Sequence, residues 1–328
     1  MQKKILGVLA IVILGGLVYL AVKSTTQVPK QTETQPPSEV GGGSKAEIKE
    51  EKKPEPIKKL LYRQNSTSEK SPHPGKQVVE LKVIDLNGQN KKIIFTDLDE
   101  DFQVRLVDGL LKDSILVFGT PLNETAGAIW QIQTDGSGIK KQIIDNFTGS
   151  SFTSNGEKIA FVAYDNIQGV YTLWVMNMDG RFKTKILESE TNLSDPVFWD
   201  KNLAFVKIDK EGNGSINTVN LDGSNQKEIL KAKDEFISGL YFAANKFTYI
   251  KTPKTGGQEN LAEVYICDSN GQNEKRITND KEADGFPVIS SDGSKIAFYK
   301  NGKIWVGNSD GSDTKVLVEG TQPIGFFE

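Results

Sequence analysis

The chain has 328 residues, of which 40 are Lys or Arg, 43 are Asp or Glu, one is His and one is Cys. A single Cys excludes an intrachain disulfide and a zinc site built from cysteines, and a single His excludes a two-histidine metal site. The net charge of -3 offers no general attraction to nucleic acid. We therefore expect no metal site, no cofactor and no nucleic-acid partner.

Residues 5–22 form an uncharged, apolar stretch that follows Lys3 and Lys4. As a helix, this stretch would span about 27 Å, close to the hydrocarbon thickness of a bilayer. A cleaved signal peptide has a shorter apolar core and small residues before its cleavage site, whereas Tyr19 is large. The pattern predicts an uncleaved membrane anchor over residues 1–23, with a cytoplasmic N-terminus and the rest of the chain outside the cytoplasm. If the segment is cleaved, the remainder would be periplasmic or secreted.

Residues 24–55 combine prolines, a Gly-Gly-Gly-Ser run and interspersed Lys and Glu, with almost no large apolar side chain. Such a segment cannot bury enough surface to offset the entropy lost on ordering. It is predicted to be a disordered tether with a root-mean-square reach of roughly 30 Å.

The remainder, residues 56–328, repeats six times, and each repeat contains an Asp-Gly or Asn-Gly pair between two short apolar runs. The glycines of these pairs are Gly88, Gly136, Gly180, Gly223, Gly271 and Gly311, spaced by 48, 44, 43, 48 and 40 residues. Such pairs are typical of two-residue hairpin turns, because both central residues can adopt positive φ. The near-constant period indicates a tandem repeat of one β-rich unit.

A second element precedes each turn: a short strand that ends in an aromatic residue. The six elements end at Tyr62, Phe118, Phe161, Phe205, Tyr249 and Phe298. A third element lies further upstream, as at 195–199 and 286–289. Each repeat therefore supplies four strands in about 40–45 residues, the pattern of a propeller blade. The sequence predicts an all-β, six-bladed β-propeller.

The first repeat lacks its first strand, whereas residues 323–327 match a first strand with nothing after it. We expect this C-terminal segment to become the inner strand of blade 1 and to close the ring, leaving no open sheet edge. The longest connections between second and third strands are predicted at 64–77 and 251–262. Both should lie on one face, which makes that face a candidate contact surface.

The repeat resembles that of TolB-like six-bladed propellers, most clearly in residues 290–311 and 154–180, where a Gly turn, Lys-Ile-Ala-Phe and a Trp-containing strand follow each other. The resemblance covers about 57–328 and implies a propeller that serves as a protein-docking platform. TolB itself carries an α/β domain before its propeller, where this chain has the predicted anchor and tether. For that reason no partner-binding residue is transferred from TolB.

Candidate interaction residues are those near the first strands, because these strands line the axis of a propeller. They are Asp195, Trp199, Asp234 and Asp284, which we place at the channel rim. Paired carboxylates in a channel could also act as acid and base. Capping of turns and solvation of the channel are the alternative reading of the same carboxylates.

Other residues have an ordinary structural reading beside a functional one. Trp130, Trp174 and Trp305 occupy equivalent places and are expected to pack between blades rather than to bind sugars. His73 is expected in a solvated loop, and Cys267 in the core. Acidic side chains at 97–101 and 209–214 are expected to lie in solvated turns, with calcium binding as the alternative.

The expected activity is non-enzymatic binding of an envelope protein or glycan by a membrane-anchored, monomeric propeller. No α/β-hydrolase elbow or sialidase-type Asp box is present in the sequence. Two alternatives stay open: a carboxylate-dependent hydrolase or lyase acting on an envelope glycan in the channel, and a calcium-stabilised structural module.

Overall fold

The structure, a computed structural model, describes residues 58–67, 77–98, 102–121, 127–147, 149–254 and 261–327. These residues form six antiparallel sheets of four strands each, so the predicted six-bladed propeller is confirmed. Within the described part of the chain, no helix has the length and hydropathy needed to cross a membrane. The predicted anchor, the tether and His73 lie outside the described residues.

Each blade is numbered in chain order, and its strands run from the inner to the outer edge of the ring. The innermost strands of blades 2 to 6 and of blade 1 are β4 (Phe102–Asp108), β8 (Ser151–Ser154), β12 (Leu193–Trp199), β16 (Glu235–Ala243), β20 (Asp284–Ile289) and β24 (Gln322–Phe327). The second strands of blades 1 to 6 are β1 (Lys59–Thr67), β5 (Ser114–Pro121), β9 (Lys158–Asp165), β13 (Asn202–Ile208), β17 (Lys246–Pro253) and β21 (Lys295–Lys300). The third strands are β2 (Gln77–Asp85), β6 (Gly127–Gln133), β10 (Val170–Asn177), β14 (Gly214–Asn220), β18 (Glu263–Asp268) and β22 (Lys303–Asn308). The outer strands are β3 (Lys92–Thr96), β7 (Ile139–Phe147), β11 (Thr184–Ser189), β15 (Lys227–Lys231), β19 (Lys275–Arg276) and β23 (Lys315–Glu319).

Burial explains why the sequences of the second strands contain continuous apolar runs, whereas those of the outer strands do not. A second strand has a neighbouring blade on each face, so side chains on both faces are buried, as at Leu60, Leu61 and Tyr62 of β1. Outer strands such as β15 and β23 have no fully buried residue. The aromatic residue that marks each repeat therefore lies inside the molecule: Phe205, for example, is fully buried.

The core consists of interfaces between blades rather than of one central mass. Six clusters of buried apolar side chains occur among the described residues, and each joins one pair of adjacent blades. The predicted packing role of the three tryptophans is confirmed, because Trp130, Trp174 and Trp305 each pack against one of these clusters. Cys267 is also buried in a cluster, as predicted.

The ring closes through the C-terminus, as the repeat count predicts. Strand β24 pairs antiparallel with β1, which makes it the inner strand of blade 1. A cluster that includes Tyr62 of blade 1 and Ile304 of blade 6 then seals the last interface. The first and last blades are thus joined by side-chain packing and by the β24–β1 hydrogen-bond ladder.

The hairpin turns differ from the prediction of two-residue loops. In blade 1 the N–H of Gly88 donates to the carbonyl of Asp85, and the N–H of Asp85 donates to the carbonyl of Gln89, so three residues form the loop. Only the glycine adopts positive φ, at 85°, whereas Asn87 does not. This is a type I turn followed by a left-handed residue, the usual three-residue hairpin loop. The same pair of hydrogen bonds occurs at the turns containing Gly180, Gly223, Gly271 and Gly311.

In all six hairpins a second left-handed residue follows the loop, two positions after the glycine. These residues are Asn90, Gly138, Phe182, Asn225, Asn273 and Asp313. Asn, Asp and Gly tolerate this conformation, whereas a bulky residue is strained in it. Phe182 is the exception, because it has φ of 56° and leaves 79% of its surface exposed.

The two long connections are shorter than predicted. Residues 64–67 and 251–253 belong to β1 and β17, and the next strands begin at Gln77 and Glu263. Residues 68–76 and 255–260 lie outside the described part of the chain. The strand ends that flank both connections lie on one face, as expected, since β1 and β17 run in the same sense within their blades.

Candidate functional site

A cavity of about 590 Å³ opens at the centre of the ring, and all six innermost strands contribute to its wall. It lies toward the face where the innermost strands begin and the second strands end. Arg63, at the middle of β1, pairs with Gln322 at the start of β24, and both residues line the cavity. The mouth therefore opens on the face that carries the long connections.

A smaller cavity of about 130 Å³ continues along the axis. Asp108, Leu240 and Tyr241 line both cavities and so form the layer between them. On the side of this layer away from the mouth, the wall of the smaller cavity includes the apolar side chains of Leu110 and Phe198. The wide, mixed-polarity mouth is therefore the part of the channel that offers room to a ligand.

β-bulges determine which side chains the inner strands direct at this mouth. In β12, β16 and β20 the ladder skips two inner residues opposite one residue of the second strand. The first skipped residue has positive φ in each case: 47° at Asp195, 63° at Gly239 and 52° at Phe286. A bulge of this kind bends the strand and re-aims a side chain. All three residues line the cavity.

Two arginines meet at the mouth, from blades 1 and 2. Nη1 of Arg63 donates to the carbonyl oxygen of Arg105 at 3.1 Å, and Nε of Arg63 donates to Asn65 at 2.8 Å. Nε of Arg105 donates to the hydroxyl of Thr120 at 3.2 Å. Burial lowers the pKa of Arg63, an effect that the carboxylate of Asp97 opposes and the charge of Arg105 reinforces. The mouth thus concentrates positive charge beside blades 1 and 2.

Two carboxyl groups lie deeper in the same cavity. Burial raises the pKa of Asp108 to about 7; the N–H of Gly109 opposes this shift, and the charge of Asp195 adds to it. Burial also raises the pKa of Asp195, against hydrogen bonds from Ser194 and from the N–H of Gly239. The raised pKa of Asp108 therefore suits this carboxyl group to give or accept a proton near neutral pH.

Asp284 lies where blades 5 and 6 meet. It is 4% exposed, and no described donor has hydrogen-bond geometry with either carboxylate oxygen. Burial raises its pKa to about 6. Unpaired buried carboxylate oxygens are costly, so this residue destabilises the folded state once it is ionised.

The four residues predicted at the rim divide into two groups. Asp195 and Asp284 line the cavity. Trp199 ends β12 on the opposite face, where it contacts Phe247 at 6.4 Å between ring centroids. Asp234 precedes β16 with 71% of its side chain exposed, 4.0 Å from Lys254, and does not line the cavity. Their roles in interaction stay predictions.

The cavity residues that the sequence did not single out include four with polar or titratable side chains, Arg63, Arg105, Asp108 and Tyr241. One signal for the first two is composition, because the chain has only four arginines. Asp108 ends an innermost strand, as the assignment of strands alone could have indicated. Burial and the charge of Asp108 raise the pKa of Tyr241 to about 12, so this phenol stays protonated.

Structural roles account for Asp97 and Asp209, one acidic residue from each of the two calcium candidates. Asp97 accepts hydrogen bonds from the N–H groups of Val79 and Val104. Asp209 accepts from Asn213 and pairs with Lys231 at 3.1 Å. Among the described side chains, no group of three or more His, Cys, Asp or Glu could hold a metal ion.

The sequence matches no protein-family profile and no curated protein. Solved structures share its fold. TolB from Acinetobacter baumannii has a TM-score of 0.59 at 16% identity, covering 82% of this chain and 66% of that one. A protein assigned as TolB from Agrobacterium tumefaciens has a TM-score of 0.58 at 12% identity, covering 74% and 91%. Kuenenia stuttgartiensis hydrazine synthase has a TM-score of 0.54 at 15% identity, covering 82% and 45%.

These similarities confirm the TolB-like propeller fold that the repeats indicate. The chain spans about two thirds of the Acinetobacter TolB chain and under half of the hydrazine synthase chain. At these identities the likeness concerns the fold alone. The function of this chain must therefore be argued from its own cavity.

Proposed function

We propose that the propeller is a non-enzymatic binding platform that holds a segment of an envelope protein in its central cavity. The cavity itself is the observation that supports this proposal: about 590 Å³, with every blade contributing to its wall. Ligand sites typically have 300–1,000 Å³ and combine apolar walls with a few convergent polar groups. A rigid ring that presents many loops around one axis is suited to such a role.

The composition of the wall favours a polypeptide segment as the occupant. This wall contains apolar groups such as Phe286, Pro287 and Ile324 together with the side chains of Arg63 and Arg105. Phe286 leaves 46% of its surface exposed, which is unusual for a large apolar residue and offers a contact for an apolar side chain. An extended segment with mixed side chains would satisfy both kinds of wall.

The predicted anchor completes the proposal. With residues 5–22 in the membrane and the tether after them, the propeller would reach partners in the periplasm or at the cell surface. Protease treatment of intact spheroplasts should cleave the propeller if this orientation is correct, whereas complete protection would place it in the cytoplasm.

Affinity capture with two matched variants tests the binding platform. Phe286 and Phe182 both have positive φ and exposed rings, but Phe286 lines the cavity and Phe182 lies in a turn on the opposite face. The full chain with Phe286→Lys should lose its envelope partner, and the chain with Phe182→Lys should keep it. Equal recovery of the partner by both variants would contradict the proposal.

The carboxyl pair favours a second candidate function, a hydrolase or lyase acting on an envelope glycan. Asp108 and Asp195 line the same cavity, and burial raises the pKa of both. Two carboxyl groups with raised pKa values in one cavity can serve as acid and base at a glycosidic bond. Turnover of an envelope glycan by the wild-type chain that Asp108→Asn abolishes would support this function and contradict the first.

A further inference from the structure

We infer that Arg63 and Arg105 form a carboxylate-binding subsite at the mouth of the cavity. The inference rests on the proposed function and makes it more specific: the bound segment presents a carboxylate, from an acidic side chain or from its own C-terminus, to this pair. The two arginines come from blades 1 and 2 and line the same cavity.

The first argument is how these two arginines differ from the other two in the chain. Arg181 lies near Asp179 at 3.9 Å, and Arg276 pairs with Glu263 at 2.6 Å. Among the described carboxylates, none lies within ion-pair distance of Arg63 or Arg105. A chain that uses lysine for nearly all its basic positions thus places two of its four arginines at one opening, with no ion-pair partner among the described carboxylates.

The second argument is the hydrogen-bonding capacity that remains. Arg63 uses Nε and one donor of Nη1 within the protein, and Arg105 uses only Nε. Both Nη atoms of Arg105 and Nη2 of Arg63 have no acceptor among the described residues. Terminal guanidinium nitrogens present the planar fork that matches a carboxylate with two parallel hydrogen bonds.

The third argument is that the protein holds this pair in place despite its repulsion. The hydrogen bond from Arg63 to the backbone of Arg105 fixes one guanidinium against the neighbouring strand. Burial and the charge of Arg105 disfavour the charged form of Arg63, whereas the carboxylate of Asp97 favours it. An anion between the two groups would relieve that repulsion, because opposite charges favour the ionised form.

The surroundings select the kind of anion. Asp108 and Asp195 line the inner part of the cavity, so a dianion would meet like charge whenever they are ionised. Phe286 and Ile324 supply apolar surface beside the arginines. A singly charged carboxylate attached to an apolar segment fits this combination better than a phosphate does.

The test uses the full chain in detergent on an array of random decapeptides. Each peptide is printed in four separate forms. The first has a free C-terminus and an internal Glu, and the second is its C-terminal amide. In the third form that Glu is changed to Gln, and in the fourth it is replaced by phosphoserine. The variants are Arg63→Gln, Arg105→Gln and Arg105→Lys, and the control is Arg181→Gln, which alters an exposed arginine. Melting temperatures confirm that each variant folds.

Wild-type protein and Arg181→Gln should prefer the carboxylate forms by at least about tenfold, the scale of a charge-assisted hydrogen bond. Arg63→Gln and Arg105→Gln should lose that preference, and Arg105→Lys should retain part of it. The free-terminus and Glu arms identify which carboxylate is recognised. Peptides bound equally with and without a carboxylate, or preferred as phosphoserine, would overturn the subsite but not the platform. Failure of the wild-type chain to bind any peptide would contradict both.

Discussion

Replacing Gly271 by Ala should destabilise the propeller far more than the same change at Gly88. Gly271 and Gly88 occupy the same position in equivalent hairpin loops of different blades, and their φ values are nearly the same, 80° and 85°. A Cβ at Gly271 would lie 2.0 Å from the carbonyl oxygen of Ile229 in the outer strand of the preceding blade, whereas a Cβ at Gly88 would meet nothing within 4 Å. Left-handed backbone costs an alanine about 1 kcal/mol at either position. Overpacking against a rigid backbone adds about 1–3 kcal/mol at Gly271 alone.

We therefore expect a loss of unfolding free energy of about 1 kcal/mol for Gly88→Ala and about 2–4 kcal/mol for Gly271→Ala. Urea unfolding followed by tryptophan fluorescence measures both, with the slope checked for constancy. Equal losses would refute the argument that contact with the neighbouring blade adds to the cost at Gly271. In that case the positive φ of the turn would account for the loss at both positions.

Three further predictions concern charge, strain and closure. Asp284→Asn should flatten the pH dependence of stability. Because burial raises the pKa of this carboxyl group to about 6, the wild type should lose about 2 kcal/mol of unfolding free energy as pH rises from 4 to 7. A pH profile of urea midpoints identical to that of the wild type would contradict this. Phe182→Asn should stabilise the protein by about 1 kcal/mol, since Asn tolerates the left-handed backbone at this exposed position; a lower melting temperature would contradict it. Ile324→Ala in the closing strand should lower the unfolding free energy by about 2–5 kcal/mol, and deletion of 321–328 should lower it more. Val316 is 43% exposed, so Val316→Ala should change the unfolding free energy in urea by less than about 0.5 kcal/mol. Equal losses for Ile324→Ala and Val316→Ala would refute the closure.

The architecture was predictable because it repeats. In the sequence, six glycines at a regular spacing and six apolar segments that each end in an aromatic residue define the blades. The missing first strand of blade 1 predicts the closure by β24. The detailed turn geometry was not predictable from the Asp-Gly pair alone, because that pair also suits the three-residue loop. Nor does the sequence show that Gly271 faces a carbonyl of the neighbouring blade.

The candidate site was predictable only in part, because it depends on register across the ring. Asp195 could be placed at the mouth by assigning it to an inner strand. Trp199 belongs to the same strand, but four residues along it the chain has reached the other face. Arg63 and Arg105 lie 42 residues apart, in a second and an inner strand, and meet through blade packing and a bulge at Arg105. No local pattern specifies that meeting.

Site-specific photo-cross-linking in living cells tests the central claim most directly. A photoreactive phenylalanine analogue at position 286, in the cavity wall, is compared with the same analogue at position 182, on the opposite face. Our account predicts a discrete cross-linked envelope protein from position 286 that is absent from position 182 and lost when Arg105→Gln is added. No adduct at position 286, or the same adduct at both positions, would contradict the claim that the cavity binds a partner.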